Sequence, residues 1–331
     1  MKAAYIQQTG PAESIQFGEL PDPQAGPGQV LIRCEAVAVN PIDTYVRGGA
    51  VAMDLPMPYV VGCDVAGTVA AVGEGVTGIR SGDRVWATNQ GLLGRQGTFA
   101  ELAVVDAQWV HEIPDGVEAT AAAACALVGV TAHLGLTRAR AKANETILVI
   151  GGSGGVGSMV VQMAKALGLQ VIATGGSEQK CEVARRLGAD YTINYNTTSI
   201  AEQTRQLAPE GVDLFWETRR EPDFDMTIDL LAERGRMVLM AGRDARPEFP
   251  VGPFYVKQCA VHGFVMFKAR PSEIRLAAED MSEWWSSGKL EPLIGRLLPL
   301  SQAAEAHRLQ EQATLENGGD LIGKIVLTVD S

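Results

Sequence analysis

The feature that most restricts what this chain can fold into is a run of glycines, Gly151-Gly152-Ser153-Gly154-Gly155-Val156-Gly157, set directly after the apolar stretch Ile147-Leu148-Val149-Ile150. It contains Gly152-x-Gly154-x-x-Gly157, and Val156, Met159, Val160, Met163 and Leu167 then recur at near-helical spacing up to Gly168, a natural stop. A buried strand, a glycine turn and an apolar-faced helix in that order predict a βα unit. Its backbone N–H groups can approach an anion at the positive end of the helix. Val171-Ile172-Ala173-Thr174 follows as the next strand, and a helix from Glu178 to Leu187 stops at Gly188. Tyr191-Thr192-Ile193, Val212 to Trp216, Met237 to Met240 and Ala260 to Val265 continue the series. Six strands with crossover helices predict a doubly wound parallel sheet.

The context makes the anion a dinucleotide pyrophosphate, and the end of the second strand bears on which dinucleotide. An NAD site usually places an Asp or Glu there on the ribose hydroxyls. This chain reads Thr174-Gly175-Gly176-Ser177-Glu178-Gln179-Lys180, with no carboxylate at the strand end. Ser177 is a natural N-cap, which sets Lys180 in the first helical turn, where a cation opposes the helix dipole unless an anion sits beside it. A ribose 2′-phosphate is such an anion, so NADP(H) is expected.

Residues 1 to about 125 have a different character, with short β segments such as Gln29 to Cys34, Asp64 to Val72 and Asp83 to Trp86 broken by Gly- and Pro-rich turns. An amphipathic helix opens at Pro271-Ser272-Glu273, and Ile322 to Val329 returns to strand character. With 331 residues, two domains are expected at roughly 150 residues each. A net charge of −11 argues against nucleic acid or an anionic membrane as a partner. Met1 to Gln8 has neither a signal-length apolar run nor an Arg-rich leader, so a cytoplasmic protein is expected. Ala119 to Leu136 lacks any charged Asp, Glu, Lys or Arg, but its Ala, Gly, Thr and His content predicts a buried helix pair rather than a membrane span. The five cysteines, Cys34, Cys63, Cys125, Cys181 and Cys259, show neither disulfide-framework nor zinc-knuckle spacing.

Several segments, taken in order, resemble the medium-chain dehydrogenases/reductases. They are Ala38-Val39-Asn40-Pro41-Ile42-Asp43-Thr44-Tyr45, Gly62-Cys63-Asp64-Val65-Ala66-Gly67, Val72-Gly73, Gly82-Asp83-Arg84-Val85, the glycine turn, Leu187-Gly188-Ala189-Asp190 and Gly323-Lys324-Ile325-Val326. Within that superfamily the chain is most similar to the zinc-independent quinone oxidoreductase, ζ-crystallin-like, branch, over essentially its whole length. The resemblance implies an α/β protein with a GroES-like β-rich catalytic domain, residues 1–125 with 268–331, and a Rossmann NADP(H)-binding domain, residues 126–267. It also implies an active site in the cleft between them and a homodimer formed through the edge strand Ala260 to Val265.

The zinc alcohol dehydrogenases of the superfamily hold catalytic zinc through a Cys near the Asn40-Pro41-Ile42-Asp43 position and a His-Glu pair near Gly62-Cys63-Asp64. Neither that Cys nor that His is present, and Asn89 to Phe99 lacks the four-cysteine lobe. No metal is therefore expected, and the chemistry shifts to small, hydrophobic, electron-poor acceptors. By position the resemblance assigns Asn40 and Thr131 to the nicotinamide end. Gly152, Ser153, Gly154, Gly155, Val156 and Gly157 fall to the pyrophosphate, and Gly176, Ser177, Lys180 and Tyr195 to the adenosine phosphate. Thr218, Ala241 and Gly242 top later strands, and Phe264, Val265, Met266 and Lys324 line the cleft. Tyr45 falls in the substrate cleft, with Asn40 and Asp43 as its catalytic companions.

Two departures from the branch bear on the acceptor. After Arg47-Gly48-Gly49 the chain continues Ala50-Val51 in place of a second cleft tyrosine, and Arg219-Arg220-Glu221-Pro222 replaces the usual glycine-containing turn after Thr218. The expected activity is NADPH-dependent quinone reduction, with the quinone between Tyr45, Leu92, Leu93 and Phe264. An NADPH-dependent reductase of activated C=C bonds, enones or enoyl groups, is the alternative, with Tyr45 or a water on Asp43 as proton donor. A non-catalytic NADPH-binding or structural protein is the third reading.

Overall fold

The computed structural model describes residues 1–315 and 321–329. The chain divides into two compact units, Met1–Val130 with Phe267–Ser331, and Thr131–Met266. Of the expected 268–331 segment, residues 316–320, 330 and 331 lie outside the described residues.

In the second unit six parallel strands lie in the order Tyr191–Asn194, Gln170–Gly175, Thr146–Val149, Val212–Glu217, Leu231–Leu239 and Ala260–Gly263. The first strand in sequence is therefore central, and the order reverses on either side of it, as in a Rossmann sheet. Ile147, Leu148 and Val149 are all fully buried because helices cover both faces, which is why the strand reads as continuous rather than alternating hydrophobicity. Leu148, Ile172, Ile193, Phe215, Leu231 and Met237 form a core cluster. The crossover helices start on side-chain caps: Ser177 accepts from Lys180 N–H, Ser199 from Glu202 N–H and Asp223 from Met226 N–H.

The first unit is built on a seven-stranded sheet. Its long strand Gln29–Val39 pairs antiparallel with Asp64–Val72, with Leu102–Asp106 and with the C-terminal Lys324–Thr328, in a register that sets Ile325 opposite Val39. The last strand of the chain thus completes the sheet begun by the N-terminal residues. Gly67 is required where two strands close up, since a Cβ there would lie 2.0 Å from the Arg33 carbonyl oxygen. The helix Pro41–Arg47 follows directly on Val39, with Pro41 in its first turn and Asn40 as its N-cap.

Residues 119–138 form one continuous 20-residue helix, not the pair expected from sequence. Neither Gly129 nor Gly135 breaks it, and Gly135 serves packing instead: a Cβ there would lie 2.2 Å from the Trp216 ring. By length and composition alone this helix could cross a membrane, but most of its apolar window is buried inside the protein, as in a core helix. The helix Pro271–Ser286 buries Ile274, Ala277, Met281, Trp284 and Trp285 on the face that their spacing predicts.

Candidate active site

The glycine turn connects Thr146–Val149 to the helix Gly155–Ala166, and each glycine in its motif has a distinct reason. A Cβ on Gly157 would lie 2.0 Å from the Gly151 carbonyl oxygen, and one on Gly152 would lie 2.6 Å from Ala173 Cβ. Gly154, by contrast, is the N-cap and makes no side-chain cap hydrogen bond. A Cβ on it would meet only the Gly151 carbonyl oxygen, at 3.4 Å. Two glycines let the turn close on the neighbouring strand, and the third leaves the helix N-terminus uncovered. Thr174 locks the turn, since its Oγ1 accepts from Gly151 N–H at 3.0 Å and its carbonyl from Gly152 N–H at 2.9 Å. Gly155 and Val156 open a helix whose first N–H groups have no intrahelical acceptor. Such N–H groups at a helix start can receive an anion.

The four residues assigned to the adenosine end are brought together. Gly176 backs onto Tyr195 so closely that a Cβ there would lie 2.5 Å from the phenol oxygen. The Lys180 Cβ would be 3.1 Å from a Cβ on Gly175, so the side chain leaves the helix at the strand end. Asn196, which the sequence reading passed over, donates from Nδ2 to the Gly176 carbonyl at 2.6 Å and fixes this wall. Glu178, the one carboxylate close by, faces Arg185 at 3.7 Å.

Later strand ends contribute unequally. Thr218 Oγ1 donates to the Ile150 carbonyl at 2.7 Å and so stands beside the glycine turn. Gly242 adopts φ +81 with a prospective Cβ 2.7 Å from the Arg220 carbonyl, which seats the loop after Leu231–Leu239 against the Arg219-Arg220 departure. Arg219 itself is held by the buried Glu217 carboxylate, Nη2 to Oε2 at 2.6 Å, with Nε reaching both oxygens. Phe264 stacks under the Arg138 guanidinium, 5.1 Å from the ring centroid, and Val265 is exposed. Thr131 and Met266 are buried.

The first unit holds a buried polar cluster at the junction of Gln29–Val39 with Pro41–Arg47. Asn40 Nδ2 donates to Asp64 Oδ2 at 2.8 Å and to the Ala38 carbonyl at 3.3 Å, while Asn40 Oδ1 accepts from Lys324 Nζ at 2.5 Å. Lys324 also donates to the Val39 carbonyl, and Thr88 Oγ1 to Asp64 Oδ1 at 2.6 Å. The Asn40 N–H bonds Asp43 Oδ2 at 2.8 Å, which closes the capping box, and the Cys63 thiol interacts with the same carboxyl. Burial pushes Asp43 up to about 7, helped by the charge of Asp64 and opposed by Cys63, the Asn40 N–H and Lys324.

Asn40 and Lys324, expected against the cofactor, are bonded to one another and within this cluster. Asn40 is 0% exposed with both amide hydrogens donated inside the protein, and Lys324 is 5% exposed with its ammonium on backbone and amide oxygens. Leu92, expected against the acceptor, is fully buried, whereas Leu93 is 54% exposed. Tyr45 stands half-buried on the short helix, two residues beyond Asp43. Missed altogether were Asp64 as a partner of Asn40, Thr88 as a partner of Asp64, and the buried Arg47, which pairs with Glu311 across 264 residues of sequence. Among the described residues no group of three or more His, Cys, Asp or Glu side chains is arranged to hold a metal ion.

Comparison with known proteins bears directly on this arrangement. Residues 26–115 match the alcohol dehydrogenase GroES-like domain and residues 155–283 the zinc-binding dehydrogenase domain. The quinone oxidoreductase of Lama guanicoe is 31% identical over 330 residues, covering 99% of this chain and 97% of that one. The chain belongs to the zinc-independent quinone oxidoreductase branch of the medium-chain dehydrogenases/reductases. As a member of this branch it also superposes on a solved NAD-dependent alcohol dehydrogenase, at a TM-score of 0.90 and 31% identity over the whole of both chains. A mycobacterial protein solved in complex with NADPH aligns at a TM-score of 0.85 and 30% identity, covering 99% of this chain and 100% of that one. The zinc-binding name of the second domain model does not carry a metal to this branch member: Asn40 and Cys63 stand in the segments that hold the zinc alcohol dehydrogenases' ligands.

Proposed function

We propose that this protein transfers hydride from NADPH to a quinone without a metal. The observation that carries the cofactor half is the strand end at Gly175-Gly176-Ser177. It offers no carboxylate for a ribose hydroxyl pair, and it is flanked by Lys180 beside Gly175 and Tyr195 beside Gly176. NADPH, when bound, would supply the hydride, which carries both electrons of the reduction. The chain's part is to hold the pyrophosphate on the N–H groups of Ser153 to Val156 and the 2′-phosphate near Ser177, Lys180 and Tyr195. Gly152, Gly154 and Gly157 provide the room, and Thr218, Ala241, Gly242, Phe264 and Val265 line the way from the glycine turn.

On the acceptor side Tyr45 is the catalytic group. Its phenol donates a hydrogen bond to the acceptor oxygen as negative charge grows there, an interaction that strengthens only in the transition state. Thr131 keeps its assignment to the nicotinamide end. Asn40, Asp43 and Lys324 act from behind the helix that bears Tyr45.

A second reading, reduction of activated C=C bonds, is favoured by one observation. Asp43, raised to about 7, is an acid of suitable strength to pass a proton outward by way of Tyr45 or a water. Turnover of a panel of quinones and enones with NADPH and with NADH separates these readings. Quinones consumed faster than enones, with NADPH preferred, support the first; enones consumed faster with solvent deuterium entering beside the carbonyl support the second. No NADPH consumption with any acceptor removes both and leaves a binding protein.

We also place a homodimer contact on Ala260–Gly263. This strand ends the sheet order, and Val251, Tyr255 and Val256 beside it in the chain are 62%, 67% and 67% exposed. Sedimentation that gives a monomer at micromolar concentration would remove that assignment.

A further inference from the structure

Five ionisable groups share the buried cluster of the first unit: Asp43, Cys63, Asp64, Cys125 and Lys324. Burial pushes both thiols up, so they stay neutral; it pushes Lys324 down, against the pull of Asp64 and Asp43, and with Nζ donating to the Val39 carbonyl and Asn40 Oδ1 this side chain is the cluster's one cation. Two carboxylates therefore compete for one positive charge. Asp64 is better supplied, accepting from Thr88 Oγ1 at 2.6 Å, from Asn40 Nδ2 at 2.8 Å and from the Leu127 N–H. Asp43 has one nitrogen donor, the Asn40 N–H, and its Oδ1 has no nitrogen or oxygen partner among the described residues. In a water-excluded site the worse-supplied carboxyl keeps its proton.

The direction of the Asn40 amide follows from the same contacts. With Lys324 donating to Oδ1, Nδ2 must face Asp64, so the chain Lys324–Asn40–Asp64–Thr88 has every donor opposite an acceptor. Its ends, Thr88 and Lys324, are 236 residues apart in sequence, yet they are joined through Asn40, the N-cap of the helix that carries Tyr45. We propose, resting on the reductase reading above, that Lys324 is a positioning residue and not a cofactor ligand. Its buried ammonium orients Asn40 and compensates Asp64, and this leaves Asp43 as a neutral acid two residues from Tyr45. An ionised Asp43 would oppose the negative charge that forms on the acceptor; a neutral one does not. The charged and titratable groups facing Asp43 are Cys63, Asp64, Lys324 and Tyr59, and burial holds the Tyr59 phenol up, so Lys324 is the only cation among them.

The test uses the full-length protein with NADPH and a simple quinone, comparing wild type, Lys324→Met and Lys324→Arg. Loss of the ammonium should lower kcat by about 10²-fold through misplacement of the helix. The alkaline limb of the pH profile should move upward by about one to three pH units, since a compensating cation has gone. NADPH affinity should stay within about twofold, because no cofactor contact is removed. Lys324→Arg should restore the limb to its wild-type position. Weakened NADPH binding with an unmoved limb would overturn the proposal and return Lys324 to the cofactor. A second readout needs no turnover and no Lys324 variant. The infrared carbonyl band of a protonated carboxyl should be present at neutral pH in wild type and missing in Asp43→Asn. A spectrum in which Asp43 is already ionised overturns the proposal whatever the enzyme reduces, whereas the band without quinone turnover faults the reductase reading alone.

Discussion

The glycine turn of the second unit and the polar cluster of the first do comparable work with opposite materials. The turn recognises through backbone: its side chains are mostly absent, and the interaction it offers is a fan of N–H groups at a helix start. The cluster acts through internal side chains that bond one another, with Asp43 Oδ1 left over among the described residues, and it presents almost nothing of itself to a ligand. One half is defined by what must not be there, a Cβ; the other by what must be there in full, since a half-satisfied buried network costs more than an apolar core. The two therefore fail differently when altered.

The cluster should fail hardest. Asp64→Ala strands the Lys324 ammonium and the Asn40 amide in a buried site, and a loss of about 3–5 kcal/mol in unfolding free energy is expected from urea melts. Asp64→Asn keeps an acceptor for Thr88 and should lose less. The turn should fail by crowding: Gly157→Ala forces a methyl group to within 2.0 Å of a backbone oxygen. Overpacking of that kind costs about 1–3 kcal/mol, and NADPH binding should weaken with it in a fluorescence titration. Gly252→Ala, where nothing lies within 4 Å of the new carbon, is the control and should change stability by less than about 0.5 kcal/mol.

The same contrast explains what could be read from the sequence. The glycine turn, with its flanking strand and helix, was legible because a close backbone approach leaves a local signature, glycines at fixed spacing between apolar runs; the six strands were legible as apolar runs, but their order in the sheet was not. Asn40, Asp43 and Tyr45 were legible as a segment, but the use made of Asn40 was not. Its partners Asp64 and Lys324, and Thr88 on the far side of Asp64, come from three other segments, and no periodicity ties position 40 to position 324. Only the antiparallel register that sets Ile325 opposite Val39 brings them together. Arg47 and Glu311 were invisible for the same reason. The long helix Ala119–Arg138 was misread as a pair because glycine usually signals a break, whereas Gly135 makes room for Trp216.

Titration offers a gentler probe of the first unit, and two of its buried groups, His307 and Asp43, carry opposite signs. His307 packs edge-on to Phe99, with neither ring nitrogen hydrogen-bonded among the described residues. Burial, with the Arg47 charge nearby, lowers it to about 3 from its ordinary 6.5. The unfolded chain takes up a proton near 6.5 and the folded chain does not, so this contribution is present above 6.5 and is lost as pH falls toward 3. For Asp43, raised from 3.8 to about 7, the contribution is present below 3.8 and is lost as pH rises toward 7. The two slopes oppose each other between 3.8 and 6.5, so thermal unfolding should show stability falling more steeply with rising pH in His307→Leu and rising more steeply in Asp43→Asn than in wild type. An unchanged slope in either variant would remove that group from the account.

The smallest effect expected belongs to the second unit. Ser177→Ala removes the cap on Lys180 N–H and should cost about 1 kcal/mol of stability, with a parallel loss of NADPH affinity if the first turn of Glu178–Arg186 holds the 2′-phosphate.

The most direct measurement is the ratio of dissociation constants for NADPH and NADH in wild type and in Lys180→Ala, taken by calorimetry at one salt concentration. A charge-assisted hydrogen bond to phosphate is worth about 1.5–3 kcal/mol, so wild type should favour NADPH by about one to two decades and Lys180→Ala should lose that preference through NADPH alone. Equal affinities in wild type, or a preference that survives Lys180→Ala, would contradict the assignment of this strand end to a 2′-phosphate.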